Sequence, residues 1–431
     1  MITDPIAINE HFVKLDGVVV LGIDDPEGGP FRAHVETMER PHGCPSCGVV
    51  AHVKDRDRVE LVDLPVYGHP SRLVWHKRRF RCPEESCPMG TWTEEDARIA
   101  APRMAMTDRA GRESTRQVGK WGRSVNEVAR DLDCDWHTVN DAVVAYGAGL
   151  VDDDPHRFGD VVALGLDEVL FVRRGDMHRK EFTTSIVDVE AGQLLDIVPG
   201  RTGTEPKAWL EAQGAEWRSK VTYATLDLSG PYRSVFNAML PDATQIADPF
   251  HVVGVATRKL DECRRRVQNE LLGHRGRKSD PLYRARRLLT RAEERLSEGG
   301  REKLLGLLRA GDPKGDVTAS WHAKEAVREL YAHADEQLAT EWIDRLIEDM
   351  SDKTWPTEVR SLGRTLLHWK HEIIAWHRAH FTNGPTEAMN NLIKRVKRAA
   401  FGFTSFRNYR IRSLLYAGKP NWSLLATVRP R

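Results

Sequence analysis

The chain has 431 residues, 40% of them hydrophobic and 29% charged, a composition that excludes fibrous and disordered classes and is too long for one ordinary core. No apolar run approaches the ~20 residues of a membrane helix. The opening MITDPIAINEHF has neither the basic region nor the apolar run of a secretory signal, so a cytosolic protein is expected. The net charge of +1 hides a segregation: Ala388 to Arg431 holds ten Lys or Arg and no acid, and Leu64 to Pro83 holds five and none. Such stretches suit a polyanion, DNA foremost, where the plainer reading is a solvated basic surface.

In chain order, Val18 to Ile23 reads as a strand within an N-terminal segment, 1–40. Residues 41–95 carry Cys44-Pro-Ser-Cys47-Gly and then Cys82 and Cys87, with strand-like stretches at Leu61 to Tyr67 and Arg72 to Arg81. Paired cysteines in a reducing compartment read as metal ligands before disulfides. Four thiolates would close a tetrahedral shell around one structural Zn²⁺, leaving no position for water. A set with His42 or His52 replacing one cysteine, or four unrelated thiols, are the alternatives. Cys134 and Cys263 stand alone and are expected as core or helix residues.

Residues 96–150 are expected to form a helix-turn-helix. Ser124 and Glu127 make a capping box, Val128, Ala129 and Leu132 an apolar side, and Trp136 to Val144 the recognition helix. Asp133 stands at the turn position usually given to Gly, in a left-handed conformation that Asp tolerates. An acidic stretch, Asp152 to Pro155, marks a boundary.

From 155 to 252 the pattern becomes mixed α/β: strands at Val161–Val172, Phe182–Val189 and Leu194–Val198, a hairpin turn at Ala191-Gly192, a helix near Glu205–Glu211, a strand Val221–Asp227, a helix from Gly230-Pro231, and a short strand Thr244–Ala247. That order fits a mixed sheet with helices on its faces. Residues 253–380 read as an all-helical insertion, with a stripe at Trp321, Val327, Tyr331, Ala334, Leu338, Trp342 and Leu346. Residues 381–431 supply a further helix and a basic tail.

Three acids stand out. Asp167 lies inside an apolar strand, where a carboxylate is costly unless paired or bound to metal. Asp227 ends a strand, at the carboxyl edge where α/β sheets place active sites. Glu387 opens a helix after Asn383-Gly-Pro385, with Thr386 as a candidate cap. Met389, Leu392, Ile393 and Val396 form its buried stripe, and Glu387, Asn390, Asn391, Lys394 and Arg398 share the other side. Hard oxygen donors of this kind suit two Mg²⁺ or Mn²⁺ ions roughly 3.5–4 Å apart. The plainer reading is two structural aspartates and a glutamate favouring a helix dipole. Asp248 and His251 are candidates for a supporting role, and Glu168 should face away from Asp167.

Over about residues 40–420 the sequence resembles the insertion-sequence transposases of the ISL-three family. CPSCG, KRRFRC, RSVNEVARDL with WHTV, GLDE, TLDLSGPYR, ADPFHVV and NGPTEAMNNLIKRVKRAAFGFTSFRNYRIRSLLY come in the family's order. The resemblance implies a ribonuclease H-like core interrupted by the helical insertion, with Asp167, Asp227 and Glu387 as catalytic metal ligands. It also implies N-terminal modules that bind the element's terminal inverted repeats. The expected fold class is therefore multidomain α+β: zinc finger, helix-turn-helix, ribonuclease H-like mixed α/β core and all-α insertion. The expected DNA contacts are Arg78, Arg79, Trp136, His137, Asn140, Asn391, Lys394 and Arg398. Double-stranded DNA, element ends and target, is the expected partner, with a nucleoid location, no membrane, and a homo-oligomer when two ends are brought together. A DNA-binding regulator, or a nuclease that cuts without joining, are the rival readings.

Overall fold

Two sheets and their helices organise the chain, described by the computed structural model over residues 13–430. The reading of MITDPIAINEHF therefore lies outside the described residues. The chain divides into two units, residues 1–159 with 391–431, and residues 160–390.

The first unit holds β1 (Val18–Asp24), β2 (Phe31–Thr37), β3 (His52–Val66), β4 (His69–Arg81) and β5 (Thr91–Thr93). The order is β1-β2-β4-β3, with β5 also on β4. β3 and β4 form a hairpin whose turn residues Tyr67 and Gly68 have φ of 50° and 83°, the left-handed pair of a type I′ turn. Val18, Val35, Leu61, Leu73, Trp75 and Ile99 fill one core. The first half of β3, His52 to Arg58, is exposed and mostly charged; it is an edge strand, where such residues deter unwanted pairing. That polarity hid it from a hydrophobicity-based reading, which found a strand only from Leu61.

Three helices follow: α1 (Asp108–Gly119), α2 (Val125–Asp131) and α3 (Trp136–Val151). Ser124 and Glu127 make both bonds of the capping box. Asp133 takes φ 51°, and the Cys134 N–H reaches the Ala129 carbonyl at 3.0 Å, so the chain turns without glycine. Arg72 of β4 donates to the carbonyls of Leu132 and Asp133 and fixes the turn on the sheet. Cys134 is half-buried.

The second unit holds β6 (Ala163–Arg174), β7 (Arg179–Asp188), β8 (Gln193–Pro199), α4 (Thr204–Ala212), α5 (Gly214–Ser219), β9 (Tyr223–Leu226), α6 (Gly230–Met239) and β10 (Thr244–Ala247). The sheet order is β8-β7-β6-β9-β10. β7 runs antiparallel to β6 and β8, whereas β9 and β10 run parallel to β6. The antiparallel strands need only tight turns and the parallel ones need helical crossovers. Leu164, Leu166, Ile186, Leu194 and Ile246 are fully buried, each worth about 1.5–3 kcal/mol.

Helices then run to residue 379: α7 (Pro249–Leu272), α8 (Pro281–Leu289), α9 (Glu298–Gly311), α10 (Asp316–Glu329), α11 (Glu336–Asp349), α12 (Thr357–His368) and α13 (Lys370–Ala379). Leu260, Cys263, Val267, Leu289, Leu304, Val317 and Trp321 share a core. The stripe from Trp321 to Leu346 is cut in two. α10 ends in a 3-10 turn at Leu330–Ala332, Asp335 caps α11, and Leu338 is exposed. Chain periodicity alone cannot see a break that preserves spacing.

α14 (Gly384–Ala399) belongs to the second unit through Asn390, and the remainder of the chain to the first. There α15 (Phe406–Ala417) packs on α3, where Gly147 gives room to Ile411 and Leu415. No helix among the described residues is long and apolar enough to cross a membrane.

Candidate metal centres

In the first unit the CPSCG loop folds as a tight knuckle. The Gly48 N–H reaches the Cys44 carbonyl at 2.9 Å and the Cys44 N–H the Val49 carbonyl at 2.8 Å. Gly48 supplies a φ of 77°. Cys82 leaves the end of β4 and Cys87 returns one loop later. Cys44 Sγ lies 3.7 Å from Cys87 Sγ and Cys47 Sγ 3.5 Å from Cys82 Sγ, with all four sulfurs within 4.8 Å of one another. These separations exceed a disulfide bond, ~2.05 Å. They match the sulfur edge of a tetrahedron, about 3.8 Å, that a Zn–S length of ~2.3 Å implies. Burial pushes the Cys82 thiol up to about 12. Burial also acts on Cys44, but the backbone N–H groups of Cys47 and Ser46 outweigh it and bring that thiol down to about 7. His42 packs on Phe80 instead, with ring centroids 4.5 Å apart, and His52 is exposed.

In the second unit the acids gather by register. β9 pairs with β6 in parallel at Leu164↔Ala224 and Gly165↔Thr225; two residues further on, Asp167 faces Asp227 as β9 ends. The chain turns away at once, with Leu228 held at φ 61°, a left-handed strain of the kind that persists where a site over-determines the backbone. Burial, then the charge of Asp227, raises Asp167 to about 6. Burial also raises Asp227, whose Oδ1 is buried without a hydrogen-bond partner. A buried, unpartnered carboxylate oxygen is expensive and fits a site meant for a cation.

The first turns of α14 are seated on this sheet by several contacts. A Cβ added to Gly165 would stand 2.3 Å from Thr386 Oγ1, so only glycine on β6 lets the helix come so close. Thr225 Oγ1 donates to Asn383 Oδ1 at 3.2 Å, and the Asn383 N–H donates to Asp248 Oδ1 at 2.9 Å. Asn390 Nδ2 donates to Asp167 Oδ2 at 2.6 Å while its Oδ1 accepts from Ser185 Oγ at 2.8 Å. Asn390 is buried, so the polar side expected for this helix is split between a buried Asn390 and an exposed Asn391. Thr386 is not the cap: its hydroxyl oxygen is buried with no partner.

His251 completes the group. Its Nδ1 is 3.0 Å from Asp248 Oδ2, and its Nε2 is 3.8 Å from Glu387 Oε1. The bond to Asp248 raises His251, and the charges of Asp227 and Glu387 act in the same direction. Burial acts to raise Asp248, but the bonds from His251 and from the Asn383 N–H outweigh it and hold that carboxyl below its usual range. Glu168 is exposed and gives only its backbone N–H, to Asp167 Oδ1. The carboxylates are looser than the thiols. Among the described residues, only the four cysteines bring three or more ligand atoms all within 4.8 Å.

The family model of the ISL3 DDE transposases, described as "Transposase", matches residues 164–413. The chain belongs to this family. A second model, the zinc-finger of transposases IS204/IS1001/IS1096/IS1165, matches residues 40–87. A transposase for insertion sequence element IS1557 from Mycobacterium tuberculosis is 30% identical over 63% of this chain and 63% of its own length. The match thus spans under two thirds of that relative. A transposase for IS1001 from Bordetella parapertussis is 25% identical over 88% of this chain and 89% of its own.

For this ISL3-family chain, two of the expected DNA contacts need correction. Arg78 is buried, its guanidinium 2.9 Å from Glu36, 2.6 Å from the Thr37 hydroxyl and 3.8 Å from Glu94. β4 alternates sides, and Arg78 shares the covered one with Phe80. Asn140 is buried too, accepting from Asn408 Nδ2 at 3.1 Å, because α15 covers that side of α3. Trp136, His137, Asn391, Lys394 and Arg398 are exposed and Arg79 is half-buried. Sequence reasoning assigned no site role to Gly165, Ser185, Thr225 or Asn383, and placed Asn390 only on the polar side of its helix. Asn383 and Asn390, four before and three after Glu387, had the spacing to be found; Ser185 and Thr225 needed strand register.

Proposed function

We propose that this protein is an active DDE transposase that binds the terminal inverted repeats of its element, cuts the DNA strand there and joins the freed end to a target. The observation that carries the reading is the nearness of Asp167, within β6, to Asp227, just past β9, with an unpartnered oxygen on Asp227 and with Glu387 of α14 3.8 Å from His251. The sheet order β8-β7-β6-β9-β10 with one antiparallel inner strand supports a ribonuclease H-like core, and the helical residues 253–380 are its insertion. The α1–α3 region with its glycine-free turn supports a helix-turn-helix, through which exposed Trp136 and His137 reach DNA. Asn391, Lys394 and Arg398 face phosphates. The cysteines hold one structural Zn²⁺.

Asp167, Asp227 and Glu387 would hold two Mg²⁺ or Mn²⁺ ions, which when bound activate the attacking oxygen and neutralise charge on the leaving oxygen. Asn390 fixes the rotamer of Asp167 through its 2.6 Å bond, as groups behind a ligand do. Asp248 anchors both His251 and the start of α14, holding Glu387 in reach. His251 offers a hydrogen-bond donor toward the carboxylates. Water and then a DNA 3′-hydroxyl serve as nucleophiles, so no serine, cysteine or tyrosine is required. The enzyme works as a homo-oligomer on the nucleoid, since two ends must be held together.

The test is incubation of purified protein with Mg²⁺, a target plasmid and labelled duplexes copied from the DNA flanking the coding sequence. Labelled ends joined to plasmid are expected. Nicked duplex without joining, or a mobility shift without any cleavage, would contradict the proposal.

A further inference from the structure

α14 ends in an unusual way. The Gly402 N–H bonds to the Lys397 carbonyl and the Phe401 N–H to the Arg398 carbonyl, both at 3.0 Å. That is a Schellman ending, in which the left-handed residue is most often glycine. Here Phe401 holds that position, at φ 53°, and glycine comes one residue later. A left-handed backbone is costly for a bulky residue. Its ring gains nothing from packing in return, being 95% exposed.

The exposure is not looseness. Phe403, two residues on, is buried against Tyr409 with ring centroids 5.5 Å apart and lies beneath the Arg412 guanidinium at 5.0 Å. Ser405 caps α15 directly after it. The segment between two helices is thus pinned from both sides, and the Phe401 ring is presented on a fixed base. Its neighbours along the chain are of one sign: Lys394 and Arg398, seven and three residues before it, are exposed. No acid occurs anywhere from Ala388 to Arg431. An apolar partner surface would not call for that charge, whereas DNA offers phosphates beside flat apolar bases.

We infer that Phe401 is a stacking wedge for DNA: Lys394 and Arg398 hold the phosphate backbone while the ring enters a base step and stacks on the base it unstacks. The inference rests on the proposed DNA-binding reading and adds to it a place where the duplex is opened. Because the side chain packs on nothing, Phe401→Ala leaves the fold intact, and Phe401→Gly relieves the backbone and raises the melting temperature.

The experiment uses the full chain and duplexes copied from the DNA flanking the coding sequence, each with one 2-aminopurine at a successive position. With wild-type protein, fluorescence rises at one or two adjacent positions, where the base step opens. Phe401→Ala abolishes the rise and weakens binding roughly tenfold, with an unchanged slope of affinity against salt because no phosphate contact is lost. Phe401→Tyr restores the rise. If wild type binds and the alanine variant gives the same fluorescence profile, the wedge is wrong while the DNA-binding reading stands. If the alanine variant instead shifts the protein's oligomeric state and leaves the profile alone, Phe401 is a protein contact and the wedge is again wrong. If wild type shifts no duplex at all, the DNA-binding reading itself falls, and the wedge with it.

Discussion

The thiol cluster and the proposed carboxylate site are assembled in opposite ways. The cysteines come from 44 residues of chain, on a knuckle and the loop after one strand, and their sulfurs already stand at tetrahedral spacing. The proposed acids come from residues 167, 227 and 387: a parallel pairing sets Asp167 beside Asp227, and the seating of α14 sets Glu387 near His251. One site organises its fold locally; the other is a product of its fold.

The largest expected effect tests the first half of that contrast. Structural zinc sites in small domains are worth on the order of 10 kcal/mol. Cys47→Ser or a strong chelator should therefore unfold residues 41–93, seen as loss of one equivalent of zinc and of amide protection in β3 and β4. Helices α8 to α10 should keep their protection. Retention of β-strand protection without metal would mean the thiols are not structural.

Next come the acids. Asp167→Asn, Asp227→Asn and Glu387→Gln should each lower DNA cleavage by at least about 10²–10³-fold. Binding of the same duplex in mobility shifts should change little. An effect confined to one of the three would show that the trio is not a unit.

Smaller effects probe how the fold delivers the acids. Asn390→Ala removes the donor to Asp167 and should weaken Mn²⁺ binding by ~10–100-fold, the usual cost of losing a group behind a ligand. Titration calorimetry reads it directly, and unchanged affinity would reduce Asn390 to a packing residue. Gly165→Ala sets a methyl against Thr386 Oγ1 and Val189 and should cost about 1–3 kcal/mol in denaturant unfolding. Thr386→Ala in the same chain should recover part of it, because contacting residues couple.

These differences also explain what the sequence made legible. The capping box at Ser124 and Glu127, the cysteine pairs and the succession of strands along the second unit all depend on neighbours within a few turns or on simple alternation. Asp167 and Asp227 could be singled out because an acid in or ending an apolar strand is conspicuous. Arg78 and Asn140 went wrong for one reason: a basic strand or an exposed-looking helix face says nothing about what covers it. Glu36 and Glu94 enclose the arginine, and α15, some 270 residues from α3, covers the asparagine. The broken stripe between α10 and α11 failed differently, because its spacing survived the break.

The most direct test of the central claim is anomalous diffraction from crystals soaked in Mn²⁺. Two manganese peaks about 3.5–4 Å apart are expected, liganded by Asp167, Asp227 and Glu387, with Asn390 still bonded to Asp167. Manganese bound elsewhere, or a Glu387 carboxylate left outside the coordination of both ions, would contradict that claim.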